Sequence, residues 1–217
     1  MTRERRTSEF FDSYAADFSA IYGNKNSLLN GFINRHFRKS MMLRYTRTLA
    51  GCEPIAGRSV IDVGCGPGHY GIALARKGAR HVVGIDFAPA MIELARQNAE
   101  ASGVGDACEF VCEDFMTRPI DERFDYTLVM GFMDYIGDPG PVMAKIVSIT
   151  TSKAFFSFPA EGGILSWQRK LRYKRRCNLY MYTRGQLEDL FRDVRPARVE
   201  IEKIERDFFV TVSRQDF

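Results

Sequence analysis

The chain has 217 residues and a mass of 24.8 kDa, the size of one domain, which buries roughly 70% of its unfolded surface without disulfide or metal staples. Hydrophobic residues make up 45% and charged residues 27%, ordinary globular values, and no apolar run approaches the ~18 residues of a membrane span. The net charge of +4 is local: Arg169, Lys170, Arg172, Lys174, Arg175 and Arg176 crowd one stretch without an acid, and without these six the chain carries −2.

The N-terminus, Met1 to Arg6, is charged and is not followed by an apolar stretch, so no secretory signal is read and a cytoplasmic protein is expected. Five cysteines are scattered without a C-x-x-C pair, which argues against a zinc site or a disulfide framework. Cys108 and Cys112, four apart in a strand-like stretch, fall on one face. Small buried thiols in a reducing compartment are expected.

Residues 8–50 read as helical, with Phe10, Phe11, Tyr14, Phe18 and Tyr22 and then Leu28, Leu29, Phe32, Ile33 and Phe37 at helical spacing. From Arg58 short β-branched runs alternate with longer helical segments, the pattern of βαβ units around a parallel sheet. Strands are predicted at Ser59–Val63, His81–Asp86, Glu109–Cys112, Phe124–Met130 and Ala154–Phe158. Helices are predicted over 70–77, from Pro89 to about Ala101, and over 140–149; Pro89 suits the first helical position. After Pro159 the rhythm breaks. An insertion carries the basic run, then a helix follows from Thr183 to about Phe191, and strands at 197–204 and 207–212 close the chain. The expected architecture is a doubly wound, mostly parallel seven-stranded Rossmann-like α/β sheet in a single domain. A helical cap (1–50) precedes the core (51–158), an insertion (159–182) follows the fifth strand, and a helix and strand pair (183–217) complete it. Ligands in such sheets bind beyond the carboxyl ends of the strands.

Val60-Ile61-Asp62-Val63-Gly64-Cys65-Gly66-Pro67-Gly68 leaves the first strand through a glycine-rich turn. Glycines at 64, 66 and 68 let the backbone turn tightly and approach a ligand, and the following helix offers unpaired N–H groups to a carboxylate. Gly66 to Gly71 also matches the G-x-G-x-x-G of dinucleotide sites, which is weak evidence alone. Two details weigh against it: counted from Gly64 the third glycine comes one residue early, and the Asp62 carboxylate would repel a pyrophosphate but attract an ammonium. Asp86, ending the second strand, can accept hydrogen bonds from both hydroxyls of a ribose, and equally suits the N-cap of the helix after it.

The 60–68 segment resembles motif I of the class I S-adenosylmethionine-dependent methyltransferases, and the likeness extends over roughly 58–158. The resemblance implies S-adenosylmethionine as cofactor. Asp62 would face its ammonium, and the backbone at Gly64, Cys65, Gly66 and Gly68 its methionyl end. Asp86 would hold the ribose, Phe87 and Met91 flank adenine, and Asp114 and the Phe115 backbone read the ring edge. Met130 to Tyr135 would lie beneath the donor methyl. Phe10-Phe11-Asp12-Ser13-Tyr14 resembles the N-terminal cap of small-molecule members, with Tyr14 a cofactor contact and Tyr22 an acceptor contact.

The exit of the fourth strand, Met130-Gly131-Phe132-Met133-Asp134-Tyr135, lacks the Asn/Asp-Pro-Pro-Tyr/Phe of amino-methylating enzymes and the Pro-Cys of cytosine-C5 enzymes, so those centres are disfavoured. Tyr135, Asp134 and His36 are the candidates nearest catalysis; His69 and His81 are read as a cofactor-loop residue and an exposed residue. In the insertion, Ile164, Trp167 and Leu171 form an apolar stripe on a cationic segment. Trp167, Arg169, Arg172 and Tyr180 are candidate acceptor contacts, and 164–176 a candidate peripheral membrane contact. The Phe158-Pro159 junction, the insertion and Phe208–Val212 bear a looser likeness to the magnesium-protoporphyrin O-methyltransferase group. Together these favour O-methylation of a small, anionic or lipid- or glycan-linked acceptor. An RNA methyltransferase using residues 169–176, or a non-catalytic S-adenosylmethionine- or NAD-binding module, are the alternatives.

Overall fold

The computed structural model describes residues 28–162, 179–194 and 198–214, with side chains at all of these except 28–38 and 193–194. The sheet has seven strands: β1 (Ser59–Val63), β2 (His81–Asp86), β3 (Cys108–Cys112), β4 (Phe124–Val129), β5 (Thr150–Pro159), β6 (Arg198–Ile204) and β7 (Asp207–Ser213), in the order β3-β2-β1-β4-β5-β7-β6. The first five are mutually parallel, and β7 is wedged antiparallel between β5 and β6. The order reverses between β1 and β4, and this switch point is where open α/β sheets form their ligand crevice.

Helices cover both faces: α1 (Leu28–Gly51), α2 (His69–Arg76), α3 (Pro89–Ala101), α4 (Pro139–Ile149) and α5 (Arg184–Val194). Pro89 and Pro139 open α3 and α4, where their missing N–H costs nothing, and Asp138 caps α4 by accepting from the Gly140 N–H. Thr183 and Gln186 form a reciprocal capping box at the start of α5.

Strand alternation divides the core. Ile61, Val63, Val129, Phe156 and Phe158 turn towards Val142, Met143 and Ile146 of α4 and Leu187 and Phe191 of α5. Val60, Val82, Leu128 and Phe155 turn the other way, onto Leu49 of α1 and Leu74 of α2. A smaller cluster seats Ile92, Ala95 and Ala99 of α3 on Phe110. Each fully buried side chain of this size is worth about 1.5–3 kcal/mol, so the β1–β2–β4 tips are carried on a rigid platform. Among the described residues, no helix is long and apolar enough to cross a membrane.

Two expectations need correction. β5 begins at Thr150 rather than Ala154, because the buried Thr127 and Thr150 hydroxyls pair at 2.7 Å and draw a polar stretch into the sheet. Cys52 and Cys65 are buried, but Cys108 is only partly so and Cys112 is exposed, because β3 is an edge strand with one long side open.

Candidate active site

The Gly64–Gly68 turn joins β1 to α2. Gly64 and Cys65 donate backbone N–H groups to the Ile85 carbonyl at 2.8 and 3.1 Å, tying the turn to the end of β2. Gly64 has φ +70°, and a Cβ there would meet Phe132 at 2.8 Å, while Gly66 has φ +51° and nothing within 4 Å. The glycines thus serve different ends. Gly64, like Gly68 against Phe110, lets an aromatic ring close on the backbone, whereas Gly66 leaves room for a ligand.

Asp62, one residue short of the end of β1, is 2% exposed, and its Oδ2 has no hydrogen-bond partner. Burial, and after it the charge of Asp86, push its carboxyl up to about 7, while the Gly71 backbone N–H pulls it back. An orphaned buried carboxylate oxygen is costly, and a cationic N–H donor offsets that cost. Asp86 spends its oxygens on the backbone: Oδ2 accepts from the Gly66 N–H and Oδ1 from the Ala88 N–H, both at 2.9 Å. The N-cap of α3 is Ala88, not Asp86. A carboxylate oxygen carries two lone pairs and can accept from more than one donor. An orphaned carboxylate beside an open glycine position and a second carboxylate one strand away fit the ammonium and ribose hydroxyls of S-adenosylmethionine.

The other predicted residues divide. Phe87 is half-buried on the loop after β2, and Met91 is buried on α3. Asp114 is exposed; its Oδ1 accepts from the Met116 N–H at 2.8 Å. Phe115 is buried and meets Phe132 edge-on, ring centroids 6.4 Å apart. Cys65 turns its thiol into the α3 cluster, where burial raises its pKa well above the usual thiol range, so only its backbone can serve a ligand. His69 opens α2 and burial lowers its pKa; His81 begins β2, only partly exposed, 4.0 Å from Glu122.

At the exit of β4, Met133–Tyr135 form a 3-10 turn in which Asp134 is buried and Tyr135 half-buried. The Asp134 carbonyl accepts from the Tyr180 N–H at 2.8 Å, and Ala160 pairs with Tyr182 in a parallel bridge. The predicted acceptor contact Tyr180 therefore stands at the same sheet tip as Tyr135. Burial, then the charge of Asp134, push the Tyr182 phenol up to about 12, so it stays protonated near neutrality. Tyr14, Tyr22, Trp167, Arg169, Arg172 and the whole of 164–176 lie outside the described residues, as does the side chain of His36, whose backbone is in α1.

Three residues that sequence reasoning passed over support this tip. Ser157 Oγ accepts from the Gly131 N–H at 2.8 Å and from Arg44 Nη1 at 3.1 Å. Arg44, on α1, has its Nε 3.8 Å from the buried Asp207. Lys145, on α4, caps the loop after β3. Ser157 and Lys145 carried a signal, the first a hydroxyl inside the apolar run Ala154–Phe158 and the second the sole charged residue of α4, and buried polar groups require partners. Arg44 carried none, since its partners lie more than 100 residues away.

The "Methyltransferase domain" family model matches residues 56–170. A ubiquinone biosynthesis O-methyltransferase of Methylobacterium sp. (strain 4-46) is 34% identical over 109 residues, 48% of this chain and 41% of that protein. A ribosomal protein L11 methyltransferase of Aeromonas hydrophila is 49% identical over 55 residues, 25% of this chain and 19% of that one. The match thus spans less than half the length of these curated relatives. Magnesium protoporphyrin IX methyltransferase from Synechocystis PCC 6803, solved with bound SAH, superposes with a TM-score of 0.78 over 98% of this chain and 100% of its own; at 19% identity that likeness is one of fold. With the family model covering the β1 turn, the acidic strand ends and the β4 exit together, the chain belongs to the methyltransferase domain family.

Proposed function

We propose that this chain transfers the methyl group of S-adenosylmethionine to an oxygen of a small anionic acceptor. The observation that carries the reading is the buried, unpartnered Asp62 oxygen beside the open Gly66 position at the switch point of the sheet. Asp62 would take the ammonium, the Gly64–Gly68 backbone the methionyl end, Asp86 the ribose and Asp114 the adenine amino group, with Phe87 and Met91 on the ring and Met130 beneath the reacting centre. The bound cofactor supplies a sulfonium-activated methyl. The chain's part is then to hold the acceptor oxygen in line at about 3 Å in a dry site, which alone is worth several powers of ten in rate.

Tyr135 and Tyr180 would wall the acceptor pocket. Support for an anionic acceptor comes from the basic run at 169–176, carried on a segment whose flanks, Ala160 and Tyr182, are bridged beside Asp134. A carboxylate acceptor has no proton to lose at its reacting oxygen, so no general base is required, in keeping with the scarcity of candidates. The name of the ubiquinone biosynthesis O-methyltransferase supports oxygen as the methylated atom.

The test is calorimetric titration with S-adenosylhomocysteine (SAH), with NAD in parallel and Asp86→Ala as control, followed by SAH release in the presence of hydroxybenzoates, small carboxylates and metalloporphyrins. Micromolar SAH binding that is lost in the variant, with turnover on one acceptor class, is expected. NAD binding in place of SAH would overturn the reading.

A further inference from the structure

The loop that leaves β3 is closed by its own backbone. Arg118 N–H and Thr117 Oγ1 both donate to the Asp114 carbonyl, at 3.0 and 3.3 Å, and the Met116 N–H donates to Asp114 Oδ1 at 2.8 Å. This tight turn leaves the carbonyls of Phe115, Met116 and Arg118 converging on one point. Three carbonyl oxygens brought together repel one another and need a cation or water. Lys145, the sole charged residue of α4, places its ammonium there. Nζ donates to the Phe115 carbonyl, to Met116 O at 3.3 Å and to Arg118 O at 2.6 Å, and lies 4.7 Å from the centre of the Phe115 ring. An ammonium has three N–H donors and no acceptor, which matches three carbonyls and nothing else in the side-chain repertoire.

We propose that Lys145 is a positioning residue for adenine recognition: by gathering the three carbonyls of the 114–118 turn it fixes the Asp114 carboxylate and the Phe115 backbone at the place where the adenine edge is read. The inference rests on the proposed role of Asp114. With Oδ1 engaged by Met116, Asp114 offers Oδ2 outward, where it has no partner among the described residues. The direction of that oxygen depends on the turn, and the turn depends on a side chain from α4, the next helix in the chain. Without the ammonium the carbonyls repel and the turn opens, so Oδ2 moves off the line of an exocyclic N–H. Burial lowers the pKa of Lys145, partly countered by the Asp114 charge, so the two residues also sense one another electrostatically.

The experiment compares SAH with S-inosylhomocysteine, which carries an oxo group where adenine carries its amino group, by calorimetry on the full chain and on Asp114→Ala, Lys145→Met and Lys145→Arg, with thermal melts as a check on folding. A site built to accept an N–H rejects an analogue lacking it, so the parent should prefer SAH by about tenfold or more. Asp114→Ala should bring that ratio towards one. Lys145→Met should do the same although it touches no ligand, and Lys145→Arg, which keeps charge and bulk but whose planar fork cannot meet three converging carbonyls, should fall between. A purely structural lysine would weaken both ligands alike and leave the ratio where it was. An unchanged ratio in both Lys145 variants, with Asp114→Ala collapsed, overturns the positioning role. An unchanged ratio in Asp114→Ala removes the reading on which it rests.

Discussion

Replacing Asp62 with asparagine separates what the buried carboxylate does for a ligand from what it does to the fold. Its carboxyl is pushed from the ordinary 3.8 up to about 7, first by burial and then by Asp86. Between those values the folded chain holds a proton that the unfolded chain has released. The stabilisation is therefore fully present below pH 3.8, declines as pH rises, and is gone above about 7. Each pH unit is worth about 1.4 kcal/mol, so the interval of roughly three units amounts to about 4 kcal/mol. The asparagine amide does not titrate, and whatever it costs to bury is the same at every pH. The stability of D62N relative to the parent should therefore rise by about 2 kcal/mol between pH 5 and pH 7 and level off by about pH 8. Urea melts without ligand at pH 5, 6, 7 and 8 measure this directly. Binding should move the opposite way: SAH affinity at pH 8 should drop about 10–100-fold in D62N, the worth of one charge-assisted hydrogen bond. A stability of D62N relative to the parent that is flat from pH 5 to pH 7, or that falls over that range, would refute the argument, because the folded chain would then hold no extra proton at Asp62.

Two further substitutions probe the turn and its support. Gly64→Ala combines a φ of +70° with a Cβ 2.8 Å from Phe132; it should cost about 2–4 kcal/mol in thermal melts, part of it recovered by Phe132→Ala. Arg44→Met removes a cation 3.8 Å from Asp207, which is 2% exposed and still accepts from the Ser40 hydroxyl, and should cost about 1–3 kcal/mol. The R44M/D207N double variant should lose less than the sum of the two singles, and strict additivity would show that the pair does not interact.

The parallel core was legible because its signals are local. Ser59–Val63 and His81–Asp86 are short runs rich in Val and Ile, closed by a glycine turn and by Asp86, and both strands have the predicted bounds. The acidic strand ends were legible for the same reason, since one side chain at a strand tip needs no partner to be noticed. What escaped depends on contacts distant in sequence. Nothing around Arg44 announces that it will meet Ser157 and Asp207, and Thr150–Lys153 became strand only because Thr127 and the Gly51 carbonyl wait for Thr150 and Lys153. Cys112 departs from the expected burial because the exposure of a strand residue depends on whether the strand lies inside or at the edge of its sheet, and that is a property of strand order.

The bridge between Ala160 and Tyr182 has an evolutionary corollary. It fastens residues 160 and 182 to one another beside β5, so these two points stay together whatever chain joins them. Doubling the length of a connection closed in this way costs only about 0.6 kcal/mol in closure entropy, and Asp62, Gly66 and Asp86 themselves lie elsewhere in the chain. Descendants of this chain could therefore change the length of that stretch while inheriting the Asp62–Gly66–Asp86 corner unaltered.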